Sequence, residues 1–131
     1  MQVRGIDHVN IIAADLDETA RFYETVLGLR SERIPRAPAG FDGRWLYDAA
    51  DRPIIHLMGH HPERHAGRDT AGLTGSIDHV ALACVDFTGM QSRLEDLGIA
   101  HRVNDRKYGE LRQIFLTDPN NVSLELNFAG E

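Results

Sequence analysis

The sequence predicts an α+β fold built from two tandem β-α-β-β-β modules, and three observations predict it. The first is an internal repeat, the pattern to seek before any other. Gly5-Ile6-Asp7-His8-Val9-Asn10-Ile11 is echoed by Ser76-Ile77-Asp78-His79-Val80-Ala81-Leu82, Leu27-Gly28-Leu29 by Leu97-Gly98-Ile99, and Trp45-Leu46-Tyr47-Asp48 by Phe115-Leu116-Thr117-Asp118. Asp15-Leu16 returns as Asp86-Phe87 and Ile54-Ile55-His56-Leu57 as Ser123-Leu124-Glu125-Leu126, so the offset stays between 69 and 71 residues throughout. The second observation is a switch, in each copy, from a β-rich apolar run to apolar residues at helical spacing. The third is a glycine at the end of each helical pattern.

The elements follow in order. A first strand is expected over 6–13, because Ile6 to Ala13 is rich in β-branched and apolar residues. Asp15 can cap the following helix, with Glu18 three residues on as its capping-box partner. Ala20, Tyr23, Val26 and Leu27 continue at helical spacing, and Gly28 ends the pattern. Strands are expected at 30–36, 44–48 and 53–58. The second copy repeats this, with a strand at 77–85, a helix carrying Met90, Leu94 and Leu97 that stops at Gly98, and strands at 100–105, 111–117 and 122–128. The chain thus reads as a single domain over 1–131, composed of a module 1–58, a linker 59–75 and a module 76–131. The linker holds Gly59, Pro62, Gly67, Gly72 and Gly75 with no periodic apolar pattern. Pro35 to Gly43 carries two prolines and two glycines, which suits either a flap over a site or a hairpin connection.

Composition narrows the function classes. At 131 residues, 42% hydrophobic and 26% charged, the chain is of ordinary globular make-up and long enough for one core. A net charge of −6, dispersed, argues against nucleic-acid binding, which needs a basic face. Thirteen of the fourteen basic residues are Arg, the better bidentate partner for an anion, yet they form no dense run and a codon bias accounts for them. No apolar stretch approaches the roughly 18 residues needed to span a membrane, and MQVRGIDHVN lacks the apolar region of a secretory leader. The one cysteine, Cys84, is expected in the core and fits a reducing cytoplasm.

The repeat gives four side chains special status. Strand alternation places His8 with Ile6, Asn10 and Ile12, and His79 with Ile77, Ala81 and Ala83. His56 shares a face with Ile54 and Met58, and Glu125 with Ser123 and Asn127, opposite Leu124, Leu126 and Phe128. If the modules meet about a pseudo-twofold axis, His8 is related to His79 and His56 to Glu125, and all four can converge. A single strand histidine is ordinarily structural. A carboxylate between two leucines, however, needs a partner or a wet face. Three imidazoles and one carboxylate at repeat-related positions suit a divalent metal: Fe, Mn, Co, Ni or Zn.

On these residues the chain resembles the vicinal oxygen chelate superfamily, the group of glyoxalases, bleomycin-resistance proteins and extradiol dioxygenases. Asp7-His8-Val9, its echo Asp78-His79-Val80, and Leu116-Thr117-Asp118-Pro119-Asn120-Asn121-Val122-Ser123-Leu124-Glu125-Leu126 carry the resemblance over nearly the whole chain. It implies a glyoxalase-like fold whose paired modules form an open, barrel-like cleft around a divalent metal that a substrate chelates through adjacent oxygens. His8, His79 and Glu125 fall where the family places ligands. His56 departs from the pattern, standing where glyoxalase I and methylmalonyl-CoA epimerase relatives usually have Glu or Gln. It is a candidate fourth ligand or a base. The extradiol signature is incomplete: Phe115 replaces its Tyr, Arg106 to Tyr108 stand where its His is expected, and Asn121 replaces Gly or Pro. Tyr108 is a candidate acid–base group from a neighbouring loop.

The expectation that follows is a metal-dependent lyase or isomerase of the glyoxalase I type, acting on a small molecule, with Glu125 or His56 moving the proton. The alternatives are Fe(II) ring cleavage by oxygen and a non-catalytic binding module of the bleomycin-resistance kind. The resemblance also implies a homodimer. Elsewhere, His60, His61 and His65 with Arg64 and Arg68 could bind a metal or an anionic substrate, but Pro62 and the glycines favour a solvated loop. His101 is expected at the surface. Trp45 and Tyr47 suit either cleft lining or packing. No phosphate-binding glycine loop or nucleophile elbow is present.

Overall fold

The computed structural model describes residues 1–35, 40–105 and 111–130. It divides into two compact units, Met1–Thr70 and Ala71–Glu131. The first contains β1 (Val9–Ala13), α1 (Leu16–Leu27), β2 (Arg30–Arg33), β3 (Gly43–Tyr47) and β4 (Pro53–Gly59). The second contains β5 (Val80–Ala83), α2 (Phe87–Asp96), β6 (Arg102–Asn104), β7 (Leu111–Thr117) and β8 (Ser123–Ala129). Each unit has one four-stranded sheet, ordered β1-β4-β3-β2 and β5-β8-β7-β6. β1 and β4 run parallel, as do β5 and β8, while the other neighbours are antiparallel. A parallel pair needs a crossover, and the helix supplies part of it.

Local chemistry sets the helix ends. Asp15, in an extended conformation, accepts a 2.9 Å hydrogen bond at Oδ1 from the Glu18 N–H. Gly28 adopts φ 69°, and its N–H donates to Glu24 O at 3.1 Å, the single bond of an αL cap, while Leu29 N–H donates to Tyr23 O at 3.2 Å. Leu16, Thr19, Ala20, Tyr23 and Val26 form the buried stripe that packs on β3 and β4. The facing strand residues Ile11, Ala13, Leu46, Ile55 and Leu57 are buried too. Each fully buried Leu, Ile or Phe adds about 1.5–3 kcal/mol.

α2 is less embedded. Only Phe87 and Leu94 are buried, with Phe87 edge-on to Phe128 at 5.3 Å. Of the apolar residues expected on this helix, Met90 is half-buried and Leu97 is 48% exposed. Sheet residues Ile114, Leu116, Leu124, Leu126 and Phe128 supply most of the second core.

Two turns repeat as well. The Asp48 carboxylate accepts from the N–H groups of Ala50 and Arg52, and the Asp118 carboxylate from those of Asn120 and Val122. Asp51 (φ 58°) and Asn121 (φ 61°) follow in the left-handed region. Asn tolerates that region well, which explains Asn121 where a glycine is expected.

Three expectations need correction. The strands predicted from Ile6 and Ile77 begin only at Val9 and Val80, where pairing with β4 and β8 begins. Ile6 and Ile77 are 89% and 65% exposed, and β5 ends at Ala83, before exposed Val85. Cys84 is half-buried rather than core, its Sγ near Leu82 O at 3.6 Å, and desolvation raises its thiol pKa. His65, expected in a solvated loop, is only 7% exposed. Its Nδ1 accepts from the His61 N–H at 2.9 Å, and burial lowers its pKa.

Candidate functional site

In the first unit the strand register does the positioning. Parallel pairing sets Asn10 beside His56, and antiparallel pairing sets Trp45 across from it. These residues lie on the sheet face opposite the buried Ile55 and Leu57. Trp45 stacks on the His56 ring at 4.5 Å, with an interplanar angle of 19°. The Phe41 ring lies 6.0 Å from His56. His8 stands one residue before β1, edge-on to Trp45 at 4.9 Å and 6.1 Å from the His56 ring. Its Nδ1 meets Asp7 Oδ1 at 2.6 Å, which leaves Nε2 as the outward nitrogen.

His56 Nδ1 meets Asn10 Nδ2 at 2.9 Å. The other ring nitrogen, Nε2, is buried and has no hydrogen-bond partner among the described residues. Desolvation, with a smaller contribution from His8, holds the His56 pKa below the ordinary imidazole value. A buried polar atom without a partner is costly and marks a place where a further group belongs.

In the second unit His79 stands just before β5, with Nδ1 2.8 Å from Asp78 Oδ2. Its Nε2 approaches Glu125 Oε2 at 3.4 Å. The Asp78 hydrogen bond is the main cause of the raised His79 pKa, with Glu125 adding to it against some desolvation. The Glu125 side chain is only 14% exposed. Gln113 Nε2 donates to its Oε1 at 2.9 Å and to Asn127 Oδ1 at 3.0 Å. Asn104 Nδ2 in turn donates to Gln113 Oε1 at 2.9 Å. The polar row Asn104, Gln113, Glu125 and Asn127 crosses three strands and offsets the cost of the half-buried carboxylate.

The structure therefore brings His8 to His56 within one unit and His79 to Glu125 within the other. Within either unit, no three His, Cys, Asp or Glu side chains among the described residues gather around one point. The donor chemistry nonetheless fits a divalent cation. His8 and His79 each have Nδ1 engaged by the preceding aspartate and Nε2 directed elsewhere, the carboxylate–histidine arrangement that orients metal-binding imidazoles. Glu125 has one oxygen tied to Gln113 and the other turned to His79.

Of the remaining candidates, Trp45 belongs to this face, whereas Tyr47 carries the Arg30 guanidinium at 4.3 Å. His101 is half-buried and donates from Nδ1 to Ile99 O at 2.8 Å. Tyr108, and residues 36–39 of the Pro35–Gly43 stretch, lie outside the described residues. Sequence reasoning gave no role to Asn10 or Gln113. Gln113 was findable two positions from Phe115 on the same strand face, since the partner strand carries Glu125 and Asn127 on that face.

Comparison with known proteins agrees with the fold. The family model described as Glyoxalase/Bleomycin resistance protein/Dioxygenase superfamily matches residues 5–126. "Glyoxylase I 4" of Arabidopsis thaliana is 26% identical over 128 residues, covering 96% of this chain and 71% of its own length. Fosfomycin resistance protein FosX from Listeria monocytogenes, a mutant form complexed with Mn(II) and 1S,2S-dihydroxypropylphosphonic acid, superposes with a TM-score of 0.72 at 19% identity. That match covers 98% of this chain and 94% of FosX. A putative glyoxalase family protein from Bacillus anthracis gives a TM-score of 0.74 at 18% identity, with 98% of both chains covered.

Proposed function

The chain belongs to the glyoxalase/bleomycin resistance protein/dioxygenase superfamily, and from that premise we propose that it is a metal-dependent enzyme of the glyoxalase I-like lyase or isomerase kind. One observation carries the reading. At the two repeat-related positions, His8 and His79, an adjacent aspartate holds Nδ1 and frees Nε2. Two copies of an aspartate-oriented imidazole, one of them 3.4 Å from the half-buried Glu125 carboxylate, are more than packing requires.

In this reading His8, His79 and Glu125 hold a divalent metal, with His56 as the fourth polar group of the site. A divalent metal held there would supply Lewis-acid chemistry to a small substrate carrying two neighbouring oxygens. Asp7 and Asp78 keep the imidazole rings aligned. Gln113 keeps Oε1 of Glu125 occupied, so Oε2 is the oxygen free to bind or to take a proton. A proton leaving carbon would go to Glu125. The Mn(II) in the FosX relative supports a divalent ion, with Fe, Ni, Co, Zn and Mn all compatible with this donor set. A homodimer would cover some of the exposed apolar residues, Val3 and Ile6 in one unit and Leu73 and Ile77 in the other. No helix among the described residues is long and apolar enough to cross a membrane. The single thiol supports a cytoplasmic setting.

Elemental analysis of protein purified without chelator tests the site. About one equivalent of metal is expected, and His79→Ala should abolish it. Unchanged metal content in that variant would overturn the assignment. Turnover of a hemithioacetal with Ni, Co, Zn or Mn supports the lyase, whereas iron-dependent oxygen uptake with catechols replaces it with ring cleavage.

A further inference from the structure

His56 stands where the resemblance to glyoxalase I would place Glu or Gln, and its surroundings define what it can do. A neutral imidazole has one N–H donor and one acceptor nitrogen. The Asn10 amide group facing Nδ1 is an NH₂, which can only donate, so Nδ1 is the acceptor. The ring proton then sits on Nε2, the atom that is buried without a partner. The ring has little freedom to turn away. Trp45 lies flat against one face at 4.5 Å, and Phe41 and His8 stand 6.0 and 6.1 Å from it. Two independent observations, the Asn10 contact and the orphaned Nε2, thus describe one device.

We infer that Asn10 fixes His56 as its Nε2–H tautomer, making His56 a hydrogen-bond donor to a substrate oxygen rather than a metal ligand or a general base. A metal ligand or a base needs a lone pair, and the lone pair of this ring is spent on Asn10. The partner that satisfies Nε2–H is an acceptor oxygen of carbonyl or enolate type, one of the adjacent pair in the proposed substrate. A donor held ready in a dry site gains strength as negative charge grows on that oxygen. Asn10 is a positioning residue here, since it acts only through His56. The role in catalysis rests on the function proposed above, but the tautomer does not.

Long-range proton–nitrogen correlation spectra of ¹⁵N-labelled, metal-free protein at about pH 8, above the ordinary imidazole range, read the tautomer directly. His56 is assigned by the loss of its signals in His56→Gln. The expected pattern is a pyrrole-type Nε2 and a pyridine-type Nδ1. Asn10→Asp, whose carboxylate can only accept, should reverse it, and Asn10→Ala should give averaged shifts, while the His79 signals stay in place. A protonated Nδ1 in the wild type, or an unchanged pattern in Asn10→Asp, would overturn the inference. In the metal-loaded enzyme, His56→Gln should keep its metal and retain at least tenfold more kcat than His56→Ala. Loss of metal in His56→Ala would make His56 a ligand and overturn the donor role. Should His79→Ala keep its metal, the proposed metal site fails while the tautomer result stands.

Discussion

At the centre of β4, His56 sits beside Asn10 and across from Trp45, whereas at the matching place on β8 Glu125 sits beside Ala81 and across from Phe115. The backbone pairing is the same and the environment is not. A neutral imidazole can lie against an indole, and Trp45 stacks on it. A carboxylate in that position needs donors, and Phe115 is instead engaged by the Arg102 guanidinium at 4.1 Å. The donor comes from Gln113. Its counterpart in the first unit is Gly43, where a Cβ would lie 2.9 Å from Ile34 Cδ1 and 3.0 Å from Leu57 O, so a side chain there would have to displace Ile34 and crowd the Leu57 carbonyl. Duplication preserved the pairing that places these residues, and the chemistry diverged at positions one strand away.

The largest test of this comparison is in the apolar layer. Leu57 and Leu126 flank the two central residues and are fully buried. Leu57→Ala and Leu126→Ala should each cost about 2–5 kcal/mol in chemical denaturation. Equal losses would show that the two packed faces are equivalent, and a gap above about 2 kcal/mol would break that equivalence. Next in size, Gln113→Leu should weaken metal binding about 10–100-fold in titration calorimetry without altering the fold. Unchanged affinity would mean that Glu125 does not depend on its donor.

The smallest effects are at the helix starts. Asp15→Ala should cost about 0.5–2 kcal/mol by loss of the cap. Asp86→Ala should cost more, because Asp86 caps through the Gly89 N–H at 2.9 Å while holding φ 64°, which alanine adopts poorly. Thermal denaturation of the pair would sharpen the contrast, and a smaller loss at Asp86 would contradict it.

Much of this was legible in the residues. The repeat announced the two modules, and Asp15, Gly28 and Gly98 announced helix ends, because caps depend on neighbours in the chain. The helix stripe of Ala20, Tyr23 and Val26 was equally plain. Where β1 and β5 begin was not legible, because it depends on where β4 and β8 offer a partner. His8, His56, His79 and Glu125 stood out through the repeat, but Asn10 and Gln113 gained their roles only from register between strands. His65 is buried by a turn that its composition did not reveal.

The parallel pairing of β1 with β4 also sets an order of assembly. Asn10 and His56 are 46 residues apart, so closing that contact costs more chain entropy than closing the hairpin between β3 and β4. A nascent chain leaving the ribosome can fold β3 onto β4 while β1 still waits for its place. Asn10 meets His56 in the least local strand pairing of the unit, so a chain that had formed only the β3–β4 hairpin would carry the imidazole without the amide that orients it.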